Sequence, residues 1–179
     1  MQTPKNLHNL DIKAFAKAQT HLTGDTPVAA FERLAADCSG ELTGHVSWVA
    51  QGAIDPEQRG KEDVWLHLEA KATVPLTCQR CLRSVPVALL IEQDFRFVAD
   101  EATALAQDDA SDEDLLVLED SFDLMALIED ELLMGLPLVP MHEACLSERA
   151  PTSEEEEAIL AEVKPNPFAV LASLKTGRH

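Results

Sequence analysis

The sequence predicts an α+β fold: an antiparallel β-meander, able to curl toward a barrel, flanked by N- and C-terminal helices. Two patterns lead to this prediction. Apolar and polar residues alternate over 64–76 and again over 85–97, the period of two that a strand with one buried face produces. Nearer the two ends of the chain, apolar residues recur with helical spacing instead. The strands follow one another closely, which favours antiparallel neighbours.

The predicted strands occupy the middle of the chain. They cover residues 42–51, 64–76, 85–97 and 115–118. The turn-rich stretch IDPEQRGKED joins the first two as a hairpin connection. A short break at residues 78–84 precedes the third strand. In that strand Gln93 occupies a position where the alternation would place an apolar residue.

Helices are predicted on both sides of these strands. They cover residues 11–22, residues 28–38 after Thr26 and Pro27, the stretch from Asp123 to Gly135, and the block from Asn166 to Lys175. Asp123 is the predicted N-cap of the third helix, with Phe122 packing on Leu127 as a hydrophobic staple. Thr152 and Glu155 form a capping box for a further helical stretch.

Length and composition limit the class of protein. With 179 residues, of which 46% are apolar, the chain can bury a real core and is too apolar for a disordered protein. We expect one domain over residues 1–179. No segment approaches the roughly 18 apolar residues that a membrane span needs, and the first twenty residues lack the apolar block of a signal peptide. The expected compartment is the cytoplasm, and the four cysteines do not indicate a disulfide scaffold.

Acidic residues are concentrated in one part of the chain. The net charge is −18, and residues 98–163 hold 20 acidic side chains against Arg149 alone. Such a stretch repels phosphate and attracts a basic protein, unless it merely solvates a loop and a helix face. The segments around 99–113 and 153–162 are expected to be mobile.

Two short motifs supply metal-ligand residue types. Cys78 and Cys81 form a CxxC where two predicted strands meet, and His142 and Cys145 form an HxxC in a later proline-bounded loop. Three thiols and one imidazole are a suitable set for a closed tetrahedral zinc site. The alternative is a buried reduced thiol pair beside an exposed loop histidine. Thioredoxin-like redox chemistry is less favoured, because that motif opens a helix after a strand.

The sequence predicts no enzyme. It contains no GxSxG turn and no glycine-rich phosphate loop. Abundant carboxylates in an acidic chain say little about acid/base catalysis. A zinc-dependent hydrolase is poorly supported, because four protein ligands would leave the metal no open position.

Three blocks together resemble one family. They are Cys78-Gln-Arg-Cys81-Leu82 after an alternating strand, FDLMALIEDEL leading into LPLVPMH, and the terminal NPFAVLASLK. In order and spacing they closely resemble the YceD family, the large ribosomal RNA subunit accumulation proteins, over most of the chain. The resemblance implies a role in the synthesis, processing or stability of 23S ribosomal RNA, and it carries over no catalytic residues. Some members place extra cysteines after the LPxxP turn, where this chain offers only His142 and Cys145.

The resemblance and the charge pattern together lead to two hypotheses. In the first, the protein escorts a basic large-subunit ribosomal protein, and the candidate contact residues are acids of one helix: Asp123, Glu129, Asp130 and Glu131. Charge reversal at the last three should then weaken binding; alternatively this is an ordinary helix with a solvated acidic face. In the second, the protein binds RNA directly through a small basic face beside the CxxC motif, formed by Lys71, Arg80, Arg83 and Arg96.

Overall fold

A five-stranded mixed sheet forms the centre of the computed structural model, which describes residues 6–55 and 63–145. The strands follow in chain order across the sheet, and their bounds are β1 His21–Pro27, β2 His45–Asp55, β3 Asp63–Thr77, β4 Ser84–Val98 and β5 Asp114–Val117. The first four pair antiparallel, and β5 pairs parallel to β4. The predicted α+β class is confirmed, with the difference that the sheet does not close and its last pairing is parallel.

The alternating pattern of β3 and β4 places one face of the sheet in the core. Along β3 every even-numbered residue from Val64 to Leu76 is buried, as the sequence predicts. On β4 the buried residues include Val85, Leu89, Phe95 and Phe97, which share one parity. The two strands pair over fourteen consecutive positions, from Val64 opposite Phe97 to Thr77 opposite Ser84.

Short helices connect and flank the strands. They are α1 Ile12–Lys17, α2 Glu32–Asp37, α3 Glu101–Gln107 and α4 Leu124–Met134, and all but α3 bury apolar residues. A side chain at Gly52 of β2 would collide with Phe15 of α1, and one at Gly135, just after α4, would collide with Ile91 of β4. Gly52 and Ile91 both belong to the set of strand positions that face the buried side of the sheet. The helices α1 and α4 therefore pack on the same side of the sheet.

The N-terminal third differs from the prediction. The helix predicted over 11–22 ends at Lys17, and β1 follows, which the sequence analysis does not predict. The helix predicted over 28–38 is a 3₁₀ turn at Val28–Ala30 followed by α2. The prediction of Thr26 as an N-cap is wrong, because Thr26 lies in β1 and Pro27 occupies the N-cap position of the 3₁₀ turn. The Thr26 hydroxyl instead accepts a hydrogen bond from Trp48 Nε1 at 3.1 Å.

Residues 99–113 contain regular structure. Asp100 caps α3 by accepting from the backbone N–H of Thr103 at 2.7 Å, and a 3₁₀ turn follows at Asp108–Ala110. This connection returns the chain to the level of Phe95, within the last four residues of β4, which makes the parallel pairing of β5 possible. The mobility of this segment remains a prediction.

The helix predicted from Asp123 is confirmed. Asp123 accepts from the backbone N–H of Ala126 at 2.9 Å, and α4 ends with Gly135 as its C-cap. Phe122 packs edge-to-face on Phe97 with ring centroids 5.2 Å apart.

Several predictions lie outside the described residues. They concern the capping box at Thr152, the mobile stretch 153–162 and the terminal helix from Asn166. The prediction of one domain over 1–179 remains a prediction for the same reason. Every helix in the described part of the chain is too short or too polar to span a membrane.

Candidate metal centre

The CxxC motif forms a tight turn between β3 and β4. The backbone N–H of Cys78 donates to the Arg83 carbonyl, and that of Leu82 donates to the Cys78 carbonyl, both at 2.9 Å. Leu82 has a positive φ of 59°, a conformation that costs a branched L-residue about 1 kcal/mol. The turn thus folds the two cysteines to the same side of the hairpin end.

The loop after α4 lies against this turn. The backbone N–H of Gln79 donates to the Pro140 carbonyl at 2.9 Å. His142 Nε2 is 3.1 Å from the Ser84 carbonyl oxygen, and its Nδ1 is 3.5 Å from Cys81 Sγ. Because a carbonyl oxygen only accepts, Nε2 carries the proton, and Nδ1 directs a lone pair toward the sulfur.

The ligand atoms of Cys78, Cys81, His142 and Cys145 all lie within 4.8 Å of one another. In a tetrahedral zinc site with Zn–S of about 2.3 Å and Zn–N of about 2.0–2.1 Å, the sulfur–nitrogen edge is about 3.5–3.6 Å long. The 3.5 Å separation between Cys81 Sγ and His142 Nδ1 agrees with that edge. All four cysteines of the chain are free thiols. The structure therefore brings the four candidate ligands together, and they could bind a metal.

The environment of Cys78 favours its thiolate. Burial alone would raise the pKa of this fully buried thiol. Hydrogen bonds from the backbone amides of Cys81, His142 and Arg80 outweigh burial and lower the pKa to about 5. A thiolate is the form that ligates a metal.

Two acids of α4 are already engaged within the protein. Glu129 is buried, and its Oε1 accepts from the backbone N–H groups of Arg33 at 2.7 Å and Leu34 at 3.2 Å. Its Oε2 accepts from Arg33 Nε at 2.9 Å, and Asp130 accepts from Arg33 Nη1. The pKa of Glu129 is lowered, because these hydrogen bonds outweigh the effect of its burial.

The other two acids predicted to contact a partner are also engaged or buried within the protein. Asp123 caps α4 and lies 3.1 Å from His8 Nδ1. Glu131 is buried, and burial, followed by the nearby charges of Asp114 and Asp130, raises its pKa. Of these four acids, Asp130 is the most exposed, with half of its side-chain area accessible, followed by Asp123.

The four basic residues do not assemble into one face. Arg80 and Arg83 are exposed at the CxxC turn. Lys71 lies seven positions before Cys78 on β3, about 23 Å away at strand spacing. Arg96 is near the far end of β4 and donates to Glu113 at 2.6 Å, Ser111 at 2.9 Å and Gln107 at 3.0 Å. The predicted basic face is thus reduced to Arg80 and Arg83.

Sequence reasoning misses the second set of contacts around these ligands. The Ser84 carbonyl that orients His142 has no sequence signature, because a backbone acceptor is present at every residue. The Pro140 carbonyl that binds the turn is equally invisible, although the prolines of the LPLVP block do indicate a rigid loop.

Comparison with known proteins identifies the family. A family model described as large ribosomal RNA subunit accumulation protein YceD matches residues 66–175. A Haemophilus influenzae protein with that name is 38% identical over 114 residues, which are 57% of this chain and 60% of that protein. The match thus spans less than two thirds of that relative. No solved structure matches. Since the family model covers more than half of the sequence, this chain belongs to the YceD family of large ribosomal RNA subunit accumulation proteins.

Proposed function

We propose that this protein is a non-catalytic factor that supports the accumulation of large-subunit ribosomal RNA, through its synthesis, processing or stability. The family match over residues 66–175 is the observation that carries the proposal. The family is named for accumulation of an RNA and not for a reaction. The closed set of Cys and His ligands agrees with this, because a metal held by four side chains has no open position for catalysis.

The proposal is tested by deleting the gene in its own host and measuring 23S against 16S ribosomal RNA. We expect a lower ratio, restored by the full chain expressed from a plasmid. The 16S RNA serves as an internal control for growth rate and total transcription. An unchanged ratio in the deletion strain would overturn the proposal.

We further propose that Cys78, Cys81, His142 and Cys145 hold one structural zinc ion. The support is the ligand separation, the lowered pKa of Cys78 and the hydrogen bond that orients His142. Zinc content of the purified full chain should be about one per molecule. Cys78→Ser should lose the metal, whereas Cys38→Ser, which changes a cysteine outside the cluster, should retain it. Equal zinc content in both variants would reject this site.

The mode of action we favour is escort of a basic large-subunit ribosomal protein. The chain carries a net charge of −18, which accelerates encounter with a cationic partner. Because two acids of α4 are buried, the described acids best placed for such contact are others, all exposed: Asp108, Asp109, Asp112, Glu119 and Asp120. Direct RNA binding is disfavoured by the same charge.

The escort is tested with RNA-free proteins extracted from purified large subunits. A variant in which the five exposed acids become Asn or Gln should bind more weakly than wild type at low salt, and the difference should shrink as salt rises. A control variant with three exposed acids outside this segment, Asp25, Glu41 and Glu92, neutralised should bind nearly as wild type. Identical binding by both would remove the acidic segment from the mechanism.

Direct RNA binding by Arg80 and Arg83 is the second candidate. Both arginines are exposed at the CxxC turn and are the only members of the predicted basic face that lie near it. Under this model the Arg80→Ala, Arg83→Ala double variant loses RNA binding, while Lys71→Ala retains it. Retention of a large-subunit protein after nuclease treatment would favour the escort instead.

A further inference from the structure

The end of α4 and the loop that follows it expose large apolar side chains. Leu138 is fully exposed, at 100% of its accessible area, and Met134, Val139 and Met141 are each more than half exposed. We call these four residues the apolar loop. Isolated exposed apolar residues are ordinary, but four within eight positions form a cluster of the kind that marks interaction surfaces.

The apolar loop is held in place by prolines and by hydrogen bonds to the CxxC turn. Pro137 and Pro140 restrict its backbone, and the Pro140 carbonyl accepts from Gln79. His142, one residue past the loop, is fixed through both ring nitrogens, at Ser84 and Cys81. A surface fixed before binding loses less conformational entropy when a partner docks.

A cavity of about 320 Å³ opens beside the apolar loop. Its walls are Leu76, Thr77, Gln79, Leu136, Pro137 and Pro140, with Asp37 as the one charged residue. Asp37 is exposed at the end of α2 and makes no ion pair within residues 6–55 and 63–145. The cavity therefore combines four apolar wall residues and two uncharged polar ones with a single carboxylate.

That combination fits a lysine or arginine side chain. The aliphatic stem of such a residue packs on apolar walls while its cationic head meets a carboxylate. The apolar loop consists of Leu, Val and Met, so it offers an RNA base no aromatic ring for stacking. Aliphatic side chains beside a cavity with one carboxylate therefore favour a protein partner over RNA.

We propose that the apolar loop and the Asp37 cavity together dock a basic, apolar segment of a large-subunit ribosomal protein. The segment would place a cationic side chain in the cavity and apolar side chains on Leu138 and Val139. This inference rests on the proposed escort function and names its short-range contact surface. The distributed acid would then govern the rate of encounter, and the loop would govern the lifetime of the complex.

The first test is site-specific photo-crosslinking with the full chain. A benzophenone amino acid is placed at Leu138 or, as control, at Leu90, an exposed leucine of β4 outside the acidic segment. The probe is the RNA-free protein extract of purified large subunits. We expect a crosslink to a basic ribosomal protein from position 138 and much less from 90. A crosslink mainly to a second copy of this chain, to added ribosomal RNA, or equally from both positions overturns the proposal.

Substitutions provide the second test. Leu138→Ser with Val139→Ser, and separately Asp37→Asn, should each weaken retention of the crosslinked protein at least tenfold. Glu41→Gln removes an exposed charge four residues from Asp37 and should leave retention unchanged. Unaltered zinc content and melting temperature show that each variant is folded. If wild type retains no RNA-free ribosomal protein, the escort fails; if wild type and the loop variants retain it equally, only the docking surface fails.

Discussion

Glu129 is predicted to stabilise the fold by capping a helix of another segment. Phe31, the N-cap residue of α2, offers no side-chain hydrogen bond to the first free amides of that helix. The Glu129 carboxylate takes its place by accepting from the N–H groups of Arg33 and Leu34 while it also pairs with Arg33 Nε. Glu129→Ala therefore removes the cap, which consists of two charge-assisted amide contacts, together with an ion pair.

The expected loss follows from the environment of these groups. Removal of a helix cap costs about 1 kcal/mol, and hydrogen bonds to a charged group contribute about 1.5–3 kcal/mol each. The Arg33 side chain is half exposed and can rehydrate, so its ion pair adds little. We expect Glu129→Ala to lower the free energy of unfolding by about 3 kcal/mol. For a chain of this length that corresponds to a fall in Tm of roughly 6–12 °C.

Thermal unfolding followed by circular dichroism measures this loss, with Asp130→Asn as the matched control. Asp130 contacts the same arginine but is half exposed, so its neutralisation should cost less than about 1 kcal/mol. Glu129→Gln keeps one acceptor oxygen and should fall between the two. Equal Tm values for Glu129→Ala and Asp130→Asn would refute the capping argument.

The pH dependence of Glu129 has a definite sign. Its pKa is lowered in the folded protein, so its stabilisation is present above the ordinary carboxyl value and is lost as pH falls through the lowered value. The Tm difference between wild type and Glu129→Ala should therefore shrink at acid pH. A difference that does not change between pH 7 and pH 3 would mean that charge plays no part.

Three further outcomes follow from local geometry. Leu82→Gly removes the cost of a positive φ and should leave Tm unchanged or slightly higher, whereas Leu82→Val should lower stability by about 1–2 kcal/mol. Gly24→Ala would overlap the Trp48 indole ring and should cost about 1–3 kcal/mol, measured by urea unfolding. Arg96→Ala leaves the partly buried Glu113 carboxylate without its partner and should accelerate proteolysis of the α3 connection in a timed digest, which also tests the predicted mobility there.

The central sheet was predictable because its pattern is local. Each buried residue of β3 is separated from the next by one outward-facing residue. The period of two can therefore be recognised in the sequence without knowing which strands lie next to β3. The same holds for α4, whose cap at Asp123 and end at Gly135 are encoded within one short stretch. The candidate ligands were predictable for a related reason, since Cys and His side chains have few other uses at such spacings.

The missed features depend on contacts that are distant in the chain. Strand β1 contains Gly24 and no apolar alternation, because a Trp48 ring from β2 fills the space that a side chain would need. The prediction of an N-cap at Thr26 was wrong because Thr26 pairs with Val46 as part of β1, where its hydroxyl accepts from Trp48. Likewise, the sequence of α4 predicts an amphipathic helix with an acidic face. Glu129 nevertheless points inward, because its carboxylate accepts from the otherwise uncapped amides of α2. In each case a tertiary partner overrides the local pattern.

The proposed zinc ion has a structural consequence beyond its four ligands. Cys81 and His142 are 61 positions apart, so a metal that binds both closes a loop containing β4, α3, β5 and α4. By the entropy relation for cross-links, closing a loop of that length stabilises the fold by about 4 kcal/mol. The same bond fixes the end of the apolar loop beside the CxxC turn. A metal in this position would therefore act on partner binding through the shape of the loop it holds, which is why a closed coordination sphere and a binding function are compatible in one small protein.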